Sequence, residues 1–181
     1  MMSQAVRCEE AMHLGTSAIE GAFIDRVLEP YRDHCRYLQG AYVVKTANAD
    51  AGNAFACEGA FSIPKSCYID DTGHFNAVEF NICYNQLAYV FLARGIELGF
   101  IPELGHFTLD SFHEKKLSNF LIMDIRSRYS APIDASMFQG RVEIVSARSS
   151  RKCVILKMAC TFRDAGAGRA KGEVTLGILH P

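Results

Sequence analysis

Hydrophobic and polar positions recur with two different periods along the chain, and the change of period divides it. Over residues 76–98, "NAVEFNICYNQLAYVFLARGIEL", apolar side chains recur at helical spacing and point in nearly every direction around the axis. The later runs alternate in twos: Phe138, Val142 and Ile144 oppose Gln139, Arg141 and Glu143, and Val174, Leu176 and Ile178 oppose Lys171, Glu173 and Thr175. Each such strand has one wet face and one dry face, as in an antiparallel sheet. A dry sheet face must be covered, and 76–98 is the long helix able to cover it. The pattern therefore predicts a single α+β domain in which an antiparallel sheet wraps around a central helix.

The other elements follow from local signals. Residues 1–16 show no period and read as a loose N-terminal tail, leaving 17–181 as the folded domain. "TSAIEGAFIDRVLEP" predicts a helix capped by Thr16, with Ile19, Phe23, Val27 and Leu28 as its apolar positions and Pro30 as its stop. "CRYLQGAYVVK" and "AFACEGAFSI" predict a hairpin across the turn-prone "TANADAGN". After the central helix, "GFIPELGHF" reads as a loop and "LDSFHEKK" as a short polar helix. Four strands follow: "LSNFLIMDIRSRY", "SMFQGRVEIVSAR", "KCVILKMACTFRD" and "RAKGEVTLGIL".

Composition narrows the function classes. A chain of 181 residues makes one compact domain. Its formal charge of −1, with no block of Lys or Arg, argues against nucleic acid or an anionic membrane as the main partner. Seven cysteines, at 8, 35, 57, 67, 83, 153 and 160, are odd in number and include no C-x-x-C pair. Neither a disulfide framework nor a zinc site is expected, and the compartment is the reducing cytoplasm. No secretory signal is read at the N-terminus, and Asn85, Gln86 and Arg94 interrupt the most apolar helix, so no membrane span is expected. Absent too are a G-x-S-x-G elbow, an H-E-x-x-H pair, a Walker loop and a dinucleotide fingerprint. Metal and cofactor are both expected to be none.

Candidate chemistry sits on the central helix, which carries His74, Asn76, Glu79, Asn81, Asn85 and Gln86 at or near apolar positions. A buried polar group without a partner costs on the order of 1–3 kcal/mol, so each needs one. Gly73 permits tight geometry before a helix start whose first N–H groups point outward, a place that suits an anion or a developing oxyanion. A structural reading fits the same residues. Asn76 then caps the helix, Glu79 and Asn85 bond to strand backbone or lie in a dimer seam, and Tyr31 and Tyr68 are core aromatics with tethered hydroxyls. Cys57, Cys67 and Cys83 read as small buried hydrophobes, and Arg126 and Arg128 as a solvated face shared with Asp124. Both readings stand on patterning alone.

"RVLEPY", "CRYL" and "SCYIDDTGHFNAVEFNICYNQLAY", in that order and at that spacing, resemble the FcoT-type long-chain fatty acyl thioesterases, a hot-dog-fold family. The resemblance spans residues 26–89, with a further S-x-R pattern around Ser127 and Arg128. It implies a catalytic site without an acidic nucleophile, built from Tyr31, Tyr68, Asn76 and Asn85. Such amide and phenol donors hold a thioester carbonyl and position water. It further implies a homodimer or higher oligomer and a substrate thioester carried on acyl carrier protein or coenzyme A.

Relatives in isonitrile lipopeptide gene clusters resemble bifunctional enzymes that add glycine to a 2-enoyl thioester on the carrier protein and then hydrolyse the product. By that resemblance glycine is a co-substrate. His74 and Glu79 are then the candidate bases, Glu79 being expected to have a raised pKa or to bind the glycine ammonium. Arg128 is the candidate for the glycine carboxylate, and Gly73 shapes the substrate site. Hydrolysis of long-chain acyl-CoA alone, a hot-dog hydratase or dehydratase using His74 and Glu79, and a non-catalytic acyl-thioester binding module are the alternatives. Asn76 and Asn85 are expected to face substrate, and Asn81 and Gln86 to be structural.

Overall fold

The alternation along the chain becomes register in the structure, a computed structural model that describes residues 16–46, 55–70 and 73–180. Seven strands form one antiparallel sheet: β1 (Thr16–Ile19), β2 (Leu38–Lys45), β3 (Phe55–Phe61), β4 (Phe120–Ala131), β5 (Phe138–Ser149), β6 (Cys153–Arg163) and β7 (Arg169–Leu179). Their order is β1-β2-β3-β5-β6-β7-β4. One inward row runs Cys57, Val142, Cys160, Gly172 and Ser127 across five strands, each residue opposite the next. The polar rows face outward, where Arg141 pairs with Glu58 and Glu143.

The helix inside this curl is α2 (Ala77–Leu98), which packs against β2, β3 and β5. Its Phe80, Cys83, Tyr84, Leu87, Val90 and Phe91 are buried on one face, and the buried Ala88, Leu92 and Ala93 carry the apolar surface round most of the axis. Gly99, at φ +70, ends the helix in the left-handed conformation that favours glycine. Near the start of α2, the rings of Phe61, Phe75, Phe80, Phe138 and Phe162 form one cluster with centroids 4.9–6.1 Å apart. Gly172 makes room for it: a Cβ there would stand 2.6 Å from the Phe80 ring.

Two elements differ from expectation. Thr16–Ile19 is a strand, not the first turn of a helix, and α1 spans Gly21–Leu28 after Glu20, which makes no side-chain cap. Ser17 and Ile19 are buried while Ala18 is exposed, a period of two. Pairing with Ala41–Val44 satisfies backbone groups that so short a helix would leave open. The polar helix, α3 (Leu109–Asn119), runs three residues past the predicted "LDSFHEKK", so β4 begins at Phe120 instead of Leu117. Lys116 accounts for this: its stem is buried and its Nζ donates to the Val27 carbonyl at 2.7 Å, capping the end of α1. The tail through residue 15 and the predicted hairpin turn over 47–53 lie outside the described residues, but the hairpin itself is present, Leu38–Lys45 pairing antiparallel with Phe55–Phe61.

Among the described residues, no helix is long and apolar enough to cross a membrane. The cysteines described are all free, and among the described residues no three His, Cys, Asp or Glu side chains gather as a metal site would require.

Candidate active site

The local sequence "GHFNAVE" builds the start of α2. Gly73 adopts φ +72, turning the chain before His74. The Phe75 N–H then donates to the Ile133 carbonyl at 3.3 Å, while its ring joins the aromatic cluster. Asn76 is the N-cap: its Oδ1 accepts from the Val78 N–H at 2.9 Å and the Glu79 N–H at 3.4 Å. Glu79 returns the bond, its Oε2 accepting the Asn76 N–H at 3.1 Å. This reciprocal pair satisfies three donors at the helix start and fixes both side chains.

Beside it opens a cavity of about 370 Å³, lined by His74 to Ala77 on one side and Tyr129 to Pro132 of β4 and the following turn on the other. Because the Asn76 carbonyl end is turned to the helix, its amide NH₂ is the donor end. Ala77 is the first helical residue, whose N–H has no partner within the helix. Donors at a helix N-terminus with the positive end of the dipole make this a place for negative charge to develop. His74 is exposed at the rim. Glu79 is 2% exposed and lies behind the cap, with Tyr129 and Cys83 close enough to feel its charge.

Tyr129 did not emerge from sequence reading. Burial first, then Cys160 and Glu79, raise its phenol above the ordinary value, against a hydrogen bond with the Ser127 hydroxyl that lowers it. Its ring stands edge-on to Phe80 at 6.0 Å. The available signal was period two along β4, which puts Tyr129 on the inward face with Ser127, but only the order of strands brings that face to α2.

Tyr31, Tyr68 and Asn85 lie elsewhere, away from the start of α2. Tyr31 follows α1, its N–H donating to the Leu28 carbonyl at 2.9 Å. Its half-buried phenol is pushed well above the usual tyrosine range by burial, with Tyr89 and Cys83 of α2 adding to the effect. Asn85 donates through Nδ2 to Asn81 Oδ1 at 3.2 Å, one turn back. Tyr68 is half exposed on the loop after β3, and the adjacent Cys67 approaches Cys83. Asn76 and Asn85 are nine positions apart, about 13 Å along the axis. Of the residues named from sequence, His74, Asn76 and Glu79 thus meet at the helix start, while Tyr31 and Tyr68 belong to segments beside α2 and Asn85 to its middle. Arg128 joins neither: it lines a separate opening of about 470 Å³ with Arg126, Lys171 and Glu173.

Comparison with known proteins gives one consistent result. A family model described as an FcoT-like thioesterase domain matches residues 26–178. A Streptomyces coeruleorubidus protein named (2E)-enoyl-ACP glycyltransferase is 38% identical over 164 residues, covering 88% of this chain and 96% of that protein. A Mycobacterium marinum protein of the same name is 36% identical over 170 residues, 92% of this chain and 90% of its own length. Among solved structures, a thioesterase family protein from Silicibacter pomeroyi superposes with a TM-score of 0.50 at 13% identity, covering 88% of this chain and 99% of that one. A Helicobacter felis protein does so with 0.50 at 12%, covering 90% and 93%. These last two likenesses are in the fold, which is the hot-dog arrangement of a sheet around a helix.

Proposed function

The chain belongs to the FcoT-like thioesterase family, and from that premise we propose that it adds glycine to a 2-enoyl thioester on an acyl carrier protein and then hydrolyses the adduct. The observation that carries the reading is the cavity where Asn76, Ala77 and His74 meet Tyr129, since both steps need donors where a thioester oxygen gains charge. In the addition, the glycine amine bonds to C3 of the enoyl group. The C2–C3 π pair moves toward the thioester oxygen, and the enolate is held by the Asn76 amide and the Ala77 N–H. The proton lost from nitrogen passes to His74, and C2 takes one in return. In the hydrolysis, water adds to the same carbonyl, the same donors hold the tetrahedral oxyanion, and the pantetheine thiol leaves.

Glu79 serves this site by fixing Asn76. Tyr31, Tyr68 and Asn85 contact the bound substrate along α2, whereas Arg128, expected from sequence to hold the glycine carboxylate, lines a separate opening and lies outside this site. The chemistry as written draws on no resident metal or cofactor, the pantetheine arm arriving with the substrate. A carrier protein, in preference to coenzyme A, is supported by the names of the relatives. A cytoplasmic place in isonitrile lipopeptide assembly belongs to the same proposal and rests on the sequence resemblance alone. The functional unit is a homodimer or higher oligomer joined through β4, an edge strand whose Met123 is 64% and Leu121 45% exposed. An edge both unpaired and apolar is a template for another strand.

Mass spectrometry of a 2-enoyl carrier-protein thioester, incubated with the protein with and without glycine, tests the reading. A free N-carboxymethyl-3-amino acid formed only with glycine is the expected result. The same free enoic acid in both samples would leave hydrolysis alone.

A further inference from the structure

Gln86 is wholly buried in the middle of α2, yet every polar atom of its amide is used, and none within the helix. Its Oε1 accepts from the Tyr37 N–H at 2.9 Å and the Leu38 N–H at 3.0 Å, and its Nε2 donates to the Cys35 carbonyl at 2.6 Å. These three groups lie at the end of the segment between α1 and β2, which carries Tyr31, and at the first residue of β2. The guanidinium of Arg36, on the same segment, donates to the Tyr31 carbonyl at 3.1 Å.

The contact does not stop there. Tyr37 is 1% exposed, and its phenol oxygen accepts the Cys67 N–H at 2.9 Å. Cys67 precedes Tyr68, and its thiol also meets that of Cys35. The Tyr37 carbonyl accepts the Ser62 N–H at 3.0 Å at the start of the same loop. One amide on α2 therefore sets the segment bearing Tyr31, and one phenol on that segment sets the loop bearing Tyr68.

We infer that Gln86 and Tyr37 are positioning residues for the reaction: Gln86 locks residues 35–38 to α2, and Tyr37 transmits that placement to Tyr68. The inference rests on the function proposed above, in which Tyr68 touches substrate. Neither Gln86 nor Tyr37 needs to touch it. Their effect is geometric, and a displacement of about 1 Å at a catalytic group is enough to lower a rate about a hundredfold.

Two variants test this in the full-length protein. Tyr37→Phe keeps the ring and removes the acceptor of the Cys67 N–H. It is expected to lower kcat for thioester turnover by about tenfold to a hundredfold with KM changed less than about twofold. Combined with Tyr68→Phe, it is expected to cause no further loss, because it acts only through Tyr68.

Gln86→Glu is nearly isosteric. Its protonated form both accepts from Tyr37 and Leu38 and donates to the Cys35 carbonyl, whereas its ionised form has no donor. Its kcat is therefore expected to fall with rising pH along a limb the parent protein lacks, and to return as pH is lowered. A wild-type kcat in Tyr37→Phe, losses that multiply in the double variant, or a Gln86→Glu profile parallel to the parent would each overturn the inference while the parent remains active. A parent inert toward the thioester, with or without glycine, would overturn the proposed function and the inference with it.

Discussion

The start and the middle of α2 both hold polar side chains against the interior, and they do so by opposite means. At the start, Asn76 and Glu79 satisfy one another's backbone within three residues, and the space beside them stays open as a cavity. In the middle, Gln86 reaches partners about fifty positions away and closes the space completely. A local cap leaves donors facing outward, where chemistry can use them. A long-range clasp commits both ends of its amide to the fold.

The comparison breaks most visibly at Asn76. Asn76→Ala removes both the cap and the cavity's amide donor, so turnover of the thioester should fall by about 10²–10³. Stability should fall by only about 1 kcal/mol, read as a midpoint shift in urea. A stability loss without a rate loss would reduce the start of α2 to the same structural role as its middle.

The middle should instead fail in alkali. Burial raises the Cys83 thiol and the Tyr84 phenol of α2, and pushes the facing Cys160 thiol up to about 12 from 9.0. Each is an acid whose neutral form the fold favours, so its contribution is fully present below the unfolded pKa. It is lost as pH rises from about 9 through the folded value. Urea midpoints measured at rising pH should hold up to about 9 and then decline, and a flat profile would contradict the burial of these groups.

The smallest effect is expected at Asn81, which is exposed and bonds to Asn85. Asn81→Ala should change stability by less than about 0.5 kcal/mol. Because Asn85 contacts substrate in the proposed function, the variant should raise the KM for the thioester more than it changes kcat, which sharpens the division between the start of α2 and its middle.

The same contrast explains what was legible in the sequence. Alternation in β5 and β7 and the all-round apolar run in α2 describe burial, and burial is what a packed sheet and helix share, so the architecture could be read. "NAVE" encodes its own cap because donor and acceptor are neighbours. Gln86 could be read as structural but not assigned its partners, since Cys35, Tyr37 and Leu38 come to it only through folding. Tyr129 was invisible for the same reason: β4 meets the start of α2 because it pairs with β7, a choice no local pattern records. Residues 16–19 were misread because Ile19 fits either period, and only β2 decides between them.

That pairing of β4 also sets an order of events during synthesis. β4 leaves the ribosome before β5, β6 and β7, yet its one partner among the described strands is the last of these. At about 5–20 residues per second, its apolar length waits for seconds with neither edge occupied. The nascent chain is most exposed to aggregation and to chaperone capture in that interval.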